Sequence, residues 1–230
     1  MGNTEGQVKP LSVHWDCYDR FLELPAATAN VIYTAALDEL AAVGMWNIRM
    51  EHLAVMAGMS VQDFLELFPA ASDVLYAVSR RSIALLVEAI EPLMTAPVSV
   101  SIKLEKLLRK LCTLPPAVIE LIKSYNVLCL SVDCSTATTL SLVVERPMVE
   151  VYLTILQQSR ESGELREDVD IHASAYLIDC LVKDITMAFL SSYHMMGLKQ
   201  FMGEPDHAFN DIMIDKTLSF IEPALRLRIP

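Results

Sequence analysis

Apolar residues recur along this chain at intervals of three and four, the period of a helix with one buried face. Ile32, Ala36, Leu40 and Val43 share one face of a helix that starts near Ala27, and Gly44 stands where a left-handed residue would close it. The spacing predicts a second helix from Arg49 to Ala57 and a third from Val61 to Phe68, the latter opened by Ser60 with Asp63 three residues on and ended by Pro69. Ser72 can cap a long fourth helix, in which Leu75, Val78, Leu85, Leu86, Ile90 and Leu93 hold an apolar stripe until Pro92 and Pro97 stop it. Further helices are expected at 102–111, 117–130, 148–159, 171–193 and 209–225. The stretch SVDCSTATTLS, residues 131–141, reads as a loop or a broken helix. No alternating apolar and polar runs of strand type lie between turn signals, so the fold class is all-α.

The first 25 residues are punctuated by Pro10 and Pro25, and between them Trp15, Tyr18 and Leu22 have the spacing of a short amphipathic helix. That segment is either a loosely ordered terminus or an arm that caps a neighbouring surface.

Composition narrows the class. With 53% apolar and 20% charged residues in 230, the chain can bury a sizeable core. The longest uncharged stretches, Leu24 to Leu37 and Ile185 to Leu198, are 14 residues each, short of the roughly 20 a membrane span needs. MGNTEGQVKP is too polar for a secretory leader. Five cysteines without a C-x-x-C pair point to reduced thiols and a cytoplasmic setting. An enzyme is not expected: there is no phosphate loop, no H-E-x-x-H and no G-x-S-x-G, and the five histidines lie in unrelated settings. No cofactor is expected, and no metal, since YHMMG, with His194, Met195 and Met196, has no second ligand cluster.

One short stretch is more specific. Counted from Met50, apolar or small residues fall at Met50, Leu53, Ala54, Ala57, Gly58, Met59, Phe64 and Leu67. A helix-turn-helix needs this arrangement: a small residue where two helices cross, a glycine in the turn and apolar residues that lock the second helix over the first. Together with VIYTAALDELAAVG before it, FLELFPAASDVL after it and the late ESGELREDVDIHASAYLIDCL, this stretch resembles the TetR family of bacterial transcriptional regulators, most specifically over residues 31–75.

The resemblance implies an N-terminal three-helix helix-turn-helix head and a C-terminal helical effector-binding and dimerisation body. Residues 1–26 would be an N-terminal extension, 27–80 the DNA-reading domain and 81–230 the body. Partners would be a second copy of the chain, double-stranded DNA and a small apolar effector. Departures from the family's pattern fall on the DNA face. Ile48 and Arg49 stand where members carry threonine, Val61 replaces a lysine or arginine, Leu65 an aromatic residue, Leu67 a polar or aromatic one and Ala71 a lysine.

Charge sharpens that anomaly. The net charge is −11, and residues 1–80 hold four cations (Lys9, Arg20, Arg49 and Arg80) against ten acids, a net of −6. Phosphate-rich partners are disfavoured unless positive charge is concentrated locally, and it is not. Arg49, Ser60, Val61, Gln62 and Leu65 are the candidate DNA-binding residues. Gln62 can pair with adenine, and Asp63 or Glu66 can accept from cytosine, but with so few anchoring cations DNA binding would be weak or absent. Asp63 and Glu66 can equally be a helix cap and a solvated face, or receive a basic protein partner in a chain that has lost operator binding and acts as a co-regulator or antagonist. In the body, Tyr125, Cys129, Tyr152, Met187, Phe189 and Tyr193 are candidates to line an apolar effector pocket or, alternatively, plain core. Leu177, Ile178, Leu181, Ile212, Met213 and Leu218 are expected at the dimer interface, from the last two helices.

Overall fold

The computed structural model describes residues 11–202 and 209–225. Twelve α-helices are named here: α1 (Cys17–Glu23), α2 (Ala26–Val43), α3 (Met50–Met56), α4 (Val61–Leu67), α5 (Ala71–Thr95), α6 (Val100–Cys112), α7 (Pro116–Ser131), α8 (Cys134–Leu140), α9 (Arg146–Glu161), α10 (Ile171–Leu190), α11 (Ser192–Met202) and α12 (Phe209–Ala224). A 3₁₀ turn at Met45–Asn47 precedes α3, and a π-helical turn at Ser141–Glu145 runs from α8 into α9. The described residues hold no strand, only an isolated bridge between Leu11 and Val132. None of their helices is long and apolar enough to cross a membrane.

The chain divides into two compact units. One holds the chain up to Ser82 together with Pro116–Glu145, the other Ile83–Pro115 together with the chain from Arg146 on. Residues 116–145, expected with the body, therefore cluster with the head.

In the first unit the predicted starts and stops act locally. Gly44, at φ +70°, ends α2 and donates its N–H to the Leu40 carbonyl. Ser60 caps α4 by accepting from the Asp63 N–H. Ser72, expected as the cap of α5, does something else: its hydroxyl donates to the Ser12 carbonyl, while the Asp73 carboxylate accepts from the Ala70 N–H. The reason is the N-terminal arm, which lies against this helix start. His14 donates its backbone N–H to Asp73 at 2.7 Å, and its ring Nδ1 sits 3.0 Å from the same carboxylate.

The arm is thus a built part of the unit, and α1 is one residue out of phase with expectation. It buries Cys17, Tyr18 and Phe21, while Leu22 is exposed. Phe21 meets Phe68 with ring centroids 6.0 Å apart, Phe68 meets Phe64 at 5.3 Å, and Trp15 stands edge-on to Tyr76 at 5.3 Å. On α7, Leu121, Ser124, Tyr125 and Leu128 form a buried stripe at helical spacing, and α7 packs along α2.

The second unit is built around α6, which packs against α9, α10 and α12. Leu104, Leu107 and Leu108 meet Tyr152 and Ile155 of α9, Ile178 and Val182 of α10, and Ile214 and Ile221 of α12 in one core. Here α5 runs through Pro92 to Thr95 instead of stopping. Its last carbonyls find side-chain donors: Thr95 reaches Glu91 and Pro92, and the buried Lys103 ammonium donates to Met94 and Gln158. Residues 131–141 are mostly helical, because Asp133 accepts from the Thr136 N–H and caps α8. The helix expected to reach Tyr193 breaks at an extended Ser191, and α11 follows. Met195 and Leu198 of α11 pack against Ile185 and Met213.

Candidate functional site

The helix-turn-helix is formed by α3, α4 and the turn between them. Leu53, Ala54, Phe64 and Leu67 are buried, and Gly58 takes φ +67° in the turn, where no side chain would meet another atom but an L residue would be strained. The Met59 N–H donates to the Ala54 carbonyl, so the chain reverses tightly into α4. Leu67, counted among the outward departures, in fact faces inward at 8% exposure, because the side of α4 that carries Phe64 and Phe68 also carries position 67.

The five residues expected to meet DNA all lie on the exposed surface of this unit. The three polar ones already make hydrogen bonds within the unit. Arg49, at the N-terminal end of α3, sends Nε and Nη2 to the two oxygens of Glu39 at 2.7 and 3.0 Å, and its backbone N–H reaches the same carboxylate. Glu39 is 3% exposed and holds His52 Nδ1 as well, at 2.7 Å. The guanidinium hydrogen bond holds the Glu39 carboxyl down at about 2, against an ordinary 4.5, with burial pulling the other way and His52 helping. The Ser60 hydroxyl donates to the Asp63 carboxylate at 2.7 Å, and the Gln62 amide donates to Glu66 at 3.1 Å.

Two other cations of the unit are held in the same way. Arg20 donates to the Glu66 carbonyl at the end of α4 and pairs with Asp16, so a positive charge sits where the helix dipole is negative. The Arg80 guanidinium lies 4.0 Å above the Tyr18 ring and donates to the Tyr76 hydroxyl at 3.0 Å. Beside these polar residues the face exposes four apolar ones: Val55, Met56, Val61 and Leu65.

Glu39 was the functional residue that sequence reasoning passed over. The signal was present, because an acid at 39 falls on the same helical face as Ile32, Ala36 and Leu40, and a carboxylate in an apolar stripe requires a partner.

The effector candidates divide between the two units. Tyr125 and Cys129 belong to the first unit and Tyr152, Met187 and Tyr193 to the second; the Phe189 side chain is outside the described residues. Tyr125 is buried, its hydroxyl 3.5 Å from the Glu145 carboxylate, and burial pushes its ionisation far upward. Tyr152 is part of the core, with the same effect of burial, whereas Tyr193 is 82% exposed. An open cleft of about 430 Å³ in the second unit, lined by Leu153, Thr154, Gln157, Glu161, Ile171 and His172, contains none of the six. Of the interface candidates, Leu177 is 60% exposed and Ile212 is also exposed; Leu181 and Leu218 are half-buried. Ile178 and Met213 are buried in the unit's own packing, and Tyr176 and Phe220 stand exposed instead.

No family model and no curated protein matches the sequence. Solved structures do match the fold. A regulator of the tetR family from Rhodococcus is 17% identical, covering 90% of this chain and 100% of its own, with a TM-score of 0.61. The transcriptional regulator FadR from Bacillus subtilis, in complex with stearoyl-CoA, is 14% identical over 84% of this chain and 96% of its own, with a TM-score of 0.65. A putative transcriptional regulator from Saccharomonospora viridis in complex with choline is 17% identical over 88% and 98%, with a TM-score of 0.64. This chain therefore has the fold of TetR-type transcriptional regulators.

Proposed function

We propose that this chain is a TetR-like one-component transcriptional regulator that works as a homodimer, takes a small effector in its helical body and engages duplex DNA weakly through an acidic head. The observation that carries this reading is the helix-turn-helix of α3 and α4, set in a chain that covers most of the regulator fold from end to end. The likeness to regulators holding stearoyl-CoA and choline supports an effector of small-molecule class in the body. The element proposed to carry its effect is α5, which contributes to both compact units. Enrichment of bound duplexes from a random pool at low ionic strength, repeated with apolar small molecules added, tests the reading. A recurring sequence whose capture responds to a ligand supports it; a pool that stays random under both conditions removes it.

A second reading is favoured by one observation: Arg20, Arg49 and Arg80 are each held by a group of their own unit. Among the described residues, guanidiniums already bonded within the unit leave less charge for counterion release. In that reading the chain keeps the regulator fold, has lost operator binding and acts through a protein partner at the acidic head.

A further inference from the structure

The surface of α4 is ordered by its helical period. Val61 and Leu65 lie one turn apart along one edge of its exposed side, Gln62 and Glu66 occupy the middle, and Asp63 lies along the other edge. On α3, Glu51 and Val55 share one exposed row and His52 and Met56 the next. Val55 is 70% exposed, Met56 50%, Val61 38% and Leu65 37%, so four aliphatic side chains flank the turn between two helices. Glu51, Asp63 and Glu66 are exposed on the same two helices. A lone exposed apolar side chain is ordinary, whereas a group of them rimmed by charge of one sign marks a contact surface.

We propose that this α3–α4 face docks a cationic amphipathic helix of a partner protein, its apolar side covering Val55, Met56, Val61 and Leu65 and its lysines or arginines meeting Glu51, Asp63 and Glu66. The proposal rests on the second reading above and names the chemistry of that partner. Charge chooses between occupants. A phosphate backbone meets like charge here and, at Arg49, a guanidinium already paired with Glu39, while a cationic helix meets complementary charge that steers its approach and orients it. The aliphatic patch supplies what a duplex backbone cannot use, since a helix laid on such a surface removes apolar area from water on both sides.

The test uses the full chain and a fluorescent 18-residue peptide with leucines on one helical face and lysines on the other. A peptide with glutamates in place of the lysines and a random-sequence duplex serve as comparators. Saturable binding of the lysine peptide at micromolar concentration is expected, weakened about tenfold by Asp63→Asn with Glu66→Gln and, independently, by Val55→Ser with Leu65→Ser. Amide exchange should slow within residues 50–67, and the glutamate peptide should not bind. Lysine-peptide affinity unchanged in both variants, or protection confined to another part of the chain, overturns the proposal, because the peptide then follows only the overall net charge of −11. If neither peptide nor duplex binds the face, the docking chemistry fails while the loss of operator binding stands; tight duplex binding removes both.

Discussion

Glu39 is the residue on which the character of the head turns. A carboxylate 3% exposed and shared by Arg49 and His52 fixes the start of α3 to α2 and, by the same bonds, engages the Arg49 guanidinium. Its folded-state ionisation lies near 2 and its ordinary value is 4.5, so the stabilisation is complete above about 4.5 and is lost as the pH falls toward 2. Its size is on the order of 1–2 kcal/mol, after allowing for the water that reaches the two half-exposed partners. Chemical denaturation across that window should show the parent losing its advantage over Glu39→Gln progressively. A constant difference down to pH 2 would mean that the carboxylate is not held ionised. Gly58 gives a second residue-level expectation. Alanine there meets no neighbouring atom but must adopt φ +67°, which should cost about 1 kcal/mol in a urea titration and leave the slope of that titration unchanged.

Among the elements, those whose pattern is closed by nearby residues were legible in advance. The run from α2 to α4 follows from Gly44, Ser60, Gly58 and the apolar spacing, because caps and turns act within a few residues of where they are written. Elements defined by distant partners were not. The arm was ambiguous because its burial depends on Phe68, Asp73 and Tyr76, some fifty residues away, and its phase was misread by one residue because Trp15 and Leu22 look as apolar as Cys17 and Phe21. Likewise, nothing near residue 116 announces that α7 packs along α2. The charge of the DNA face can be counted from the sequence, whereas the pairing that occupies Arg49 depends on a fold contact and stays hidden there. Because α1 seals the aromatic cluster, Phe21→Ala should lower stability by about 3–5 kcal/mol, seen as a large drop in melting temperature, whereas Leu22→Ala on the exposed side should cost little.

Tyr176 and Leu177 on α10 and Ile212 and Phe220 on α12 remain exposed after the second unit has packed its own core, which supports a homodimer built from these two helices. Obligate interfaces of this kind often bury upwards of about 2,000 Å². Leu177→Asp with Phe220→Asp should convert a dimer into a monomer in light scattering at micromolar concentration while leaving the helical circular dichroism unchanged, since neither side chain is part of the core. A parent that is already monomeric would contradict this.

The head keeps the helix-turn-helix fold while Arg20, Arg49 and Arg80 are bonded within it, and the dependence of duplex binding on salt reads the consequence most directly. A protein anchored by six to ten phosphate contacts shows a steep fall of log affinity with log salt, with a slope of roughly −5 to −9. With Arg20, Arg49 and Arg80 already engaged, the unmodified chain should bind a random duplex weakly, with a slope no steeper than about −3, and Asp63→Asn with Glu66→Gln should strengthen that binding at low salt. Tight binding by the unmodified chain with a slope of about −6 or steeper would contradict the account and make this an ordinary operator-binding head.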